Sequence, residues 1–196
     1  MVALMKPDNH IAQPQKSNEW YTPTKYIEAA RQVMGGIDLD PASCELANQT
    51  VKAKRYYGKE DDGLSKEWYG CVWLNPPYRR TPDNQGSNIG LFVNKLIAEY
   101  SEGRVKQAIA LLTSKCDTKW FQLLWDHPIC FSNHCVHFRI PNPTPKYPTM
   151  AHTYGSIFVY LGPYEHKFIE IFSEFGTIAK RVSPPKPAST TLWEVR

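Results

Sequence analysis

The sequence predicts an α/β fold in which a largely parallel sheet is covered by helices on both faces. Three features of the chain predict it. Stretches of helical period alternate with short apolar runs rich in Val, Ile and Trp; the runs are apolar throughout, as in strands buried on both faces; and glycines or prolines mark the joins. A chain of 196 residues has room for one such domain.

Residues 1–18 are polar, contain two prolines and show no period, so a flexible arm is expected there, ahead of a domain over 19–183 and a Pro-rich tail over 184–196. Thr22 is placed to cap a helix whose first position is Pro23. Tyr26, Ile27, Ala30, Val33 and Met34 then share one face, and Gly35 and Gly36 end it. Ile37 to Asp40 reads as a short strand running into Asp-Pro, and Ser43 to Ala53 as a short polar helix. Cys71 to Leu74 is a buried strand whose carboxyl end meets Asn75-Pro76-Pro77-Tyr78.

After a loop from Arg79 to Asn88, Leu91, Phe92, Lys95, Leu96 and Tyr100 fall at amphipathic helical spacing, with Gly103 beyond. Val105 to Thr113 is a second buried strand, and Thr118 to Trp125 reads as helix. Ile129 to Phe131, Val136 to Arg139 and Gly155 to Leu161 read as strands, with a loop holding Pro141, Pro143, Pro145 and Pro148 before the last of these. Glu165 to Phe175 closes the pattern as an amphipathic helix ended by Gly176, followed by a strand near Ile178 to Val182.

The composition excludes some classes. No apolar run approaches the roughly 20 residues that cross a bilayer, and residues 1–16 lack the apolar core of a secretory leader, so a cytoplasmic protein with no membrane partner is expected. Five dispersed cysteines suit free thiols. A net charge of +4 and a pI near 8.7 permit a polyanionic partner without requiring one.

The chemistry concentrates in Asn75-Pro76-Pro77-Tyr78. In an open α/β sheet, ligands sit beyond the carboxyl ends of the strands, where this tetrad lies. Two prolines fix φ and hold Asn75 extended. The Asn75 amide oxygen and the Pro76 carbonyl are positioned to accept hydrogen bonds from an exocyclic –NH₂, and the Tyr78 ring offers a flat face to a planar heterocycle. Two acceptors on one amine hold its nitrogen near an electrophile, an effect of proximity and electrostatics that needs no strong base. A stacked base cannot reach such a pocket, so flipping of the target nucleotide is implied.

His127, Cys130, His134, Cys135 and His137 fall within eleven positions, but their spacing matches no paired Cys/His knuckle, and no metal is expected.

The tetrad resembles the catalytic motif of amino-methyltransferases. Together with Glu19-Trp20-Tyr21-Thr22-Pro23, Asp38-Leu39-Asp40-Pro41-Ala42, Asp62-Gly63-Leu64, Trp68 and Gly70, all in that order, it is similar to the phage-type DNA N-6-adenine methyltransferases. The likeness covers about residues 19 to 125 well and the rest loosely. It implies a Rossmann-like fold with a seven-stranded, mostly parallel sheet and S-adenosylmethionine as methyl donor to adenine in DNA. The same resemblance places Thr22, Pro23, Asp40, Pro41, Ala42, Asp62 and Asn75 at the cofactor, and Asn75, Pro76, Pro77 and Tyr78 at the chemistry. A sulfonium donor that also carries an amino acid group invites carboxylates and aromatic faces, which Trp20, Tyr21, Asp38 and Asp40 supply.

Two departures from the family pattern stand out. Ser43-Cys44-Glu45-Leu46-Ala47 replaces the usual glycine-rich loop, and only 35 residues separate Asp40 from Asn75, so a helix or strand between them is expected to be shortened. The ribose-binding acid is then Glu60, Asp61 or Asp62. DNA contacts are expected from Arg79 and Arg80 beside the tetrad and from Arg139 and Lys146 in the proline-rich loop. Two alternatives remain open: an enzyme of RNA bases or protein glutamine using the same tetrad, and a non-catalytic DNA-binding module.

Overall fold

The computed structural model describes residues 20–78, 87–141, 149, 151 and 154–182. The arm expected over 1–18 and the tail over 184–196 lie outside these. The elements are α1 (Thr24–Met34), β1 (Leu39–Asp40), α2 (Glu45–Val51), β2 (Arg55–Tyr56), β3 (Gly70–Leu74), α3 (Asn88–Ser101), β4 (Val105–Thr113), α4 (Lys119–Gln122), β5 (Ile129–Ser132), β6 (Ser156–Leu161), α5 (Glu165–Phe172) and β7 (Gly176–Ala179).

One seven-stranded sheet runs β2-β1-β3-β4-β6-β5-β7. The pairings among β2, β1, β3 and β4 are parallel, whereas β4–β6, β6–β5 and β5–β7 are antiparallel. The expected mostly parallel sheet is therefore a mixed one. Among the described residues between β5 and β6 there is no helix to cross over the sheet, and β6 pairs antiparallel with both β5 and β4.

Helices cover both faces, as the continuous apolar strands require. On β3 and β4, Val72, Leu74, Ala108, Ala110 and Leu112 face a core with Phe92, Val93 and Leu96 of α3 and Trp120 and Phe121 of α4. Trp73, Ile109 and Leu111 point the other way, into a core built with α1 and with Phe168 and Phe172 of α5. The period of two along each strand thus divides one apolar run between two layers.

Several elements differ in detail from expectation. The N-cap of α1 is Pro23, with no side-chain cap, so Thr22 does not serve the helix; Gly35 ends it in the left-handed region at φ 79°. Val136 to Arg139 is not a strand of the sheet. Arg139 forms an isolated antiparallel bridge with Tyr21. The compression between Asp40 and Asn75 takes a definite form: α2 has seven residues, β2 has two, and a single 3₁₀ turn at Lys59–Asp61 stands before β3.

Candidate active site

From β1 the chain moves outward to β2, then returns past β1 to β3. The carboxyl ends of β1 and β3 therefore flank the switch in strand order, the place where an open α/β sheet forms a crevice. Asp40 ends β1, and Asn75 follows the last residue of β3.

Asn75 is held at both ends of its amide. Its Nδ2 donates to the Trp20 carbonyl at 3.1 Å and to Thr22 Oγ1 at 3.3 Å. The Tyr78 hydroxyl lies 2.7 Å from Asn75 Oδ1 and 3.0 Å from the Leu111 carbonyl, so one phenolic proton serves two acceptors. Burial pushes the Tyr78 phenol well above its ordinary range, so it stays a neutral donor. The Tyr78 ring sits 6.0 Å from the Trp20 ring and 6.4 Å from Phe138, and Trp20 and Phe138 are 5.3 Å apart. Phe138 thus joins the site from a segment whose sequence suggested only a strand.

Residues 20–22 reach the tetrad because the chain beyond β5 pins them. Tyr21 and Arg139 exchange both backbone hydrogen bonds at 2.9 Å. Tyr21 also bridges to the loop after β1, with its hydroxyl 4.0 Å from the Cys44 thiol. Cys44 in turn caps α2, its sulfur accepting from the Ala47 amide at 3.5 Å. In place of a glycine-rich loop the chain makes a tight turn closed by Asp40 Oδ1, which accepts from the Ala42 amide at 3.2 Å.

The Asp62 segment packs directly on that turn. A Cβ on Gly63 would stand 2.0 Å from the Pro41 carbonyl oxygen, so only glycine permits the approach. The Gly63 carbonyl accepts from the indole of the fully buried Trp68 at 2.8 Å, which fixes the segment from below. Asp62 itself is exposed, at φ 50°.

Trp20, Tyr21, Thr22, Asn75 and Tyr78 therefore form one connected group, and Asp40-Pro41-Ala42 and Asp62-Gly63 a second beside it. The sequence model of the DNA N-6-adenine-methyltransferase (Dam) family matches residues 9–182. The chain belongs to that family. A DNA N-6-adenine-methyltransferase of Escherichia phage T1 is 34% identical over 105 residues, which span 52% of this chain and 38% of that protein. The chain thus spans well under half the length of that relative. No solved structure matches.

For a member of the adenine-methyltransferase family, Asp40 and Asp38 prove to be different kinds of acid. Asp40 is buried, which pushes its carboxyl up to about 7 against the smaller opposing effects of Ser43 and the Ala42 amide. Asp38 lies beside the start of β3, paired with Lys54 at 2.8 Å and accepting from the Cys71 amide at 2.8 Å. Although desolvation opposes it, these partners hold its carboxyl below the usual range. The structure does not bring Asp38 to Asn75.

Arg139 is exposed, and its backbone carries the bridge to Tyr21. Arg79, Arg80 and Lys146 lie outside the described residues. Thr113, the last residue of β4, was not singled out by sequence; its buried hydroxyl has no hydrogen-bond partner among the described residues. Its place at a strand's carboxyl end is the signal that marks it. No three His, Cys, Asp or Glu side chains gather as metal ligands among the described residues. The Cys130 thiol points inward to the Phe172 carbonyl at 3.2 Å.

Proposed function

We propose that this protein methylates the exocyclic amine of adenine in DNA, with S-adenosylmethionine as donor and the target nucleotide flipped out of the duplex. The observation that carries the reading is the Asn75 amide, anchored through its nitrogen at the carboxyl end of β3, with its oxygen accepting from the Tyr78 hydroxyl and keeping a second lone pair for a substrate amine. Family membership supplies the substrate class.

The residues at the end of β1 suit the donor. A buried carboxyl at Asp40 gains from a nearby ammonium, and the exposed carboxylate of Asp62 suits a ribose hydroxyl. When bound, S-adenosylmethionine supplies an electrophilic methyl group on sulfonium sulfur. Asn75 Oδ1 and the Pro76 carbonyl accept the two N–H groups of the adenine amine, hold its nitrogen in place and leave its lone pair directed outward. The proton lost from nitrogen passes to water. Trp20, Tyr78 and Phe138 supply an aromatic wall for the base, offsetting an unstacking cost of a few kcal/mol.

The switch in strand order between β1 and β3 favours a Rossmann-like methyltransferase fold. Arg139, with Arg79, Arg80 and Lys146, supplies the positive charge for the phosphate backbone. The reaction takes place in the cytoplasm of the host cell, a reading supported by the likeness to a phage protein.

The test is transfer of labelled methyl to unmethylated duplex DNA, with nucleoside analysis and an Asn75→Ala control. N6-methyladenine formed by the parent and reduced at least 100-fold in the variant is expected, the order of loss seen when a hydrogen-bonding group at a reacting centre is removed. Donor binding without label in DNA would redirect the reading to RNA or protein glutamine. Absence of donor binding would leave a DNA-binding module.

A further inference from the structure

We propose, resting on the methyltransferase reading above, that Thr22 is a positioning residue whose hydroxyl holds the nitrogen end of the Asn75 amide, so that the amide oxygen stays available to the substrate. The two ends of a carboxamide are nearly the same shape and opposite in hydrogen-bond character. With Oδ1 on the side of the Tyr78 hydroxyl, its second lone pair accepts from the target amine; turned by half a rotation the amide sets a donor against a donor, and the amine is no longer held.

Three contacts hold the amide, and the Trp20 carbonyl decides which way it faces. Nδ2 faces the Trp20 carbonyl, which can only accept, and Thr22 Oγ1, while Oδ1 faces the Tyr78 hydroxyl. Rotation would place Oδ1 against the Trp20 carbonyl, acceptor to acceptor, and Nδ2 against the Tyr78 hydroxyl. Among the described residues, the Thr22 hydroxyl makes no other side-chain hydrogen bond. It is 6% exposed, and it does not cap α1, whose N-cap is Pro23 without a side-chain bond. Its hydroxyl is therefore committed to the Asn75 amide across 53 residues of sequence. The segment that carries it is itself fixed, by the two backbone bonds between Tyr21 and Arg139 and by the packing of the Trp20 ring on Phe138.

The resemblance alone would make Thr22 a donor contact, and the two roles predict different kinetics. Thr22→Val keeps the shape and removes the hydroxyl; Thr22→Ser keeps the hydroxyl and removes a methyl. For Thr22→Val the expected result is kcat lowered about ten-fold, the order of one lost hydrogen bond to a reacting group, with the donor KM within about two-fold. The melting temperature should stay near that of the parent, and Thr22→Ser should recover kcat to within about three-fold. Solvent exchange of the Asn75 side-chain amide protons, followed by NMR in protein without donor, should quicken in Thr22→Val and not in Thr22→Ser.

A raised donor KM with kcat intact would overturn the proposal and make Thr22 a donor contact. Equal loss in the Val and Ser variants would overturn it too, since the hydroxyl would then not be the cause. If the parent itself transfers no methyl to DNA, the function proposed above fails, and the amide exchange still decides whether Thr22 holds Asn75.

Discussion

Asp40→Asn separates what a buried carboxyl costs the fold from what it contributes to the site. Asp40 is 3% exposed, and burial pushes its carboxyl up to about 7 from an ordinary 3.8. That gap is about three pH units, and at about 1.4 kcal/mol per unit it amounts to about 4 kcal/mol. The folded-state value lies above the unfolded one, so between about pH 4 and pH 7 the folded protein keeps a proton that the unfolded chain has released. Stability from this residue is therefore fullest below pH 4, falls as pH climbs through that window and levels off above pH 7.

Asn has the same outline, retains an oxygen for the Ala42 amide and never ionises. Asp40→Asn should therefore gain about 2–3 kcal/mol more stability at pH 8 than at pH 5, measured as the shift in urea midpoint at unchanged m-value. An equal effect at the two pH values would refute the reasoning, because only the ionised form carries the penalty. The same variant should bind S-adenosylmethionine more weakly at pH 8, where the parent presents a carboxylate to the ammonium.

Gly63→Ala sets a methyl against the Pro41 carbonyl at a distance no relaxed contact allows, so the loop must shift. A loss of about 1–3 kcal/mol is expected in thermal or urea unfolding, and an unchanged midpoint would show that the Gly63 segment yields freely. Tyr78→Phe removes the donor shared by Asn75 Oδ1 and the Leu111 carbonyl while keeping the ring beside Trp20 and Phe138. Because Trp20 and Thr22 still orient the amide, kcat should fall by less than about ten-fold, with its pH profile unaltered on the alkaline side; a loss matching Asn75→Ala would mean that the hydroxyl acts on the substrate directly.

The elements with full periodic signals were legible in the sequence. Those of α1, α3, β3, β4, β6 and α5 follow from apolar spacing, because each buries several residues against one layer or two. Two-residue β2 and the 3₁₀ turn are too short to show a period, and no composition marks them. The reversal of β6 escaped because apolar content reports burial and not strand direction. In the site, the tetrad stood out through its prolines, while the partner of Thr22 did not. A Thr before Pro reads locally as a cap, and the contact that wins is a tertiary one to Asn75, which leaves no trace in neighbouring residues. Asp38 and Asp40 are two positions apart and equally acidic by sequence. Their separation depends on Asp38 lying beside the start of β3, with Lys54 and the Cys71 amide, while Asp40 reaches the crevice.

The bridge between Tyr21 and Arg139 sets a timetable for synthesis. These partners are 118 residues apart, so at about 5–20 residues per second the ribosome releases the second on the order of 6–24 s after the first. For the later part of that interval, from residue 75 onward, the nascent chain already carries Asn75 and its prolines, yet lacks the clasp that brings Trp20 and Thr22 to the amide. The reactive constellation is completed by one of the later-made stretches of the domain, and a chain cut short before residue 139 would display the tetrad without its orienting segment.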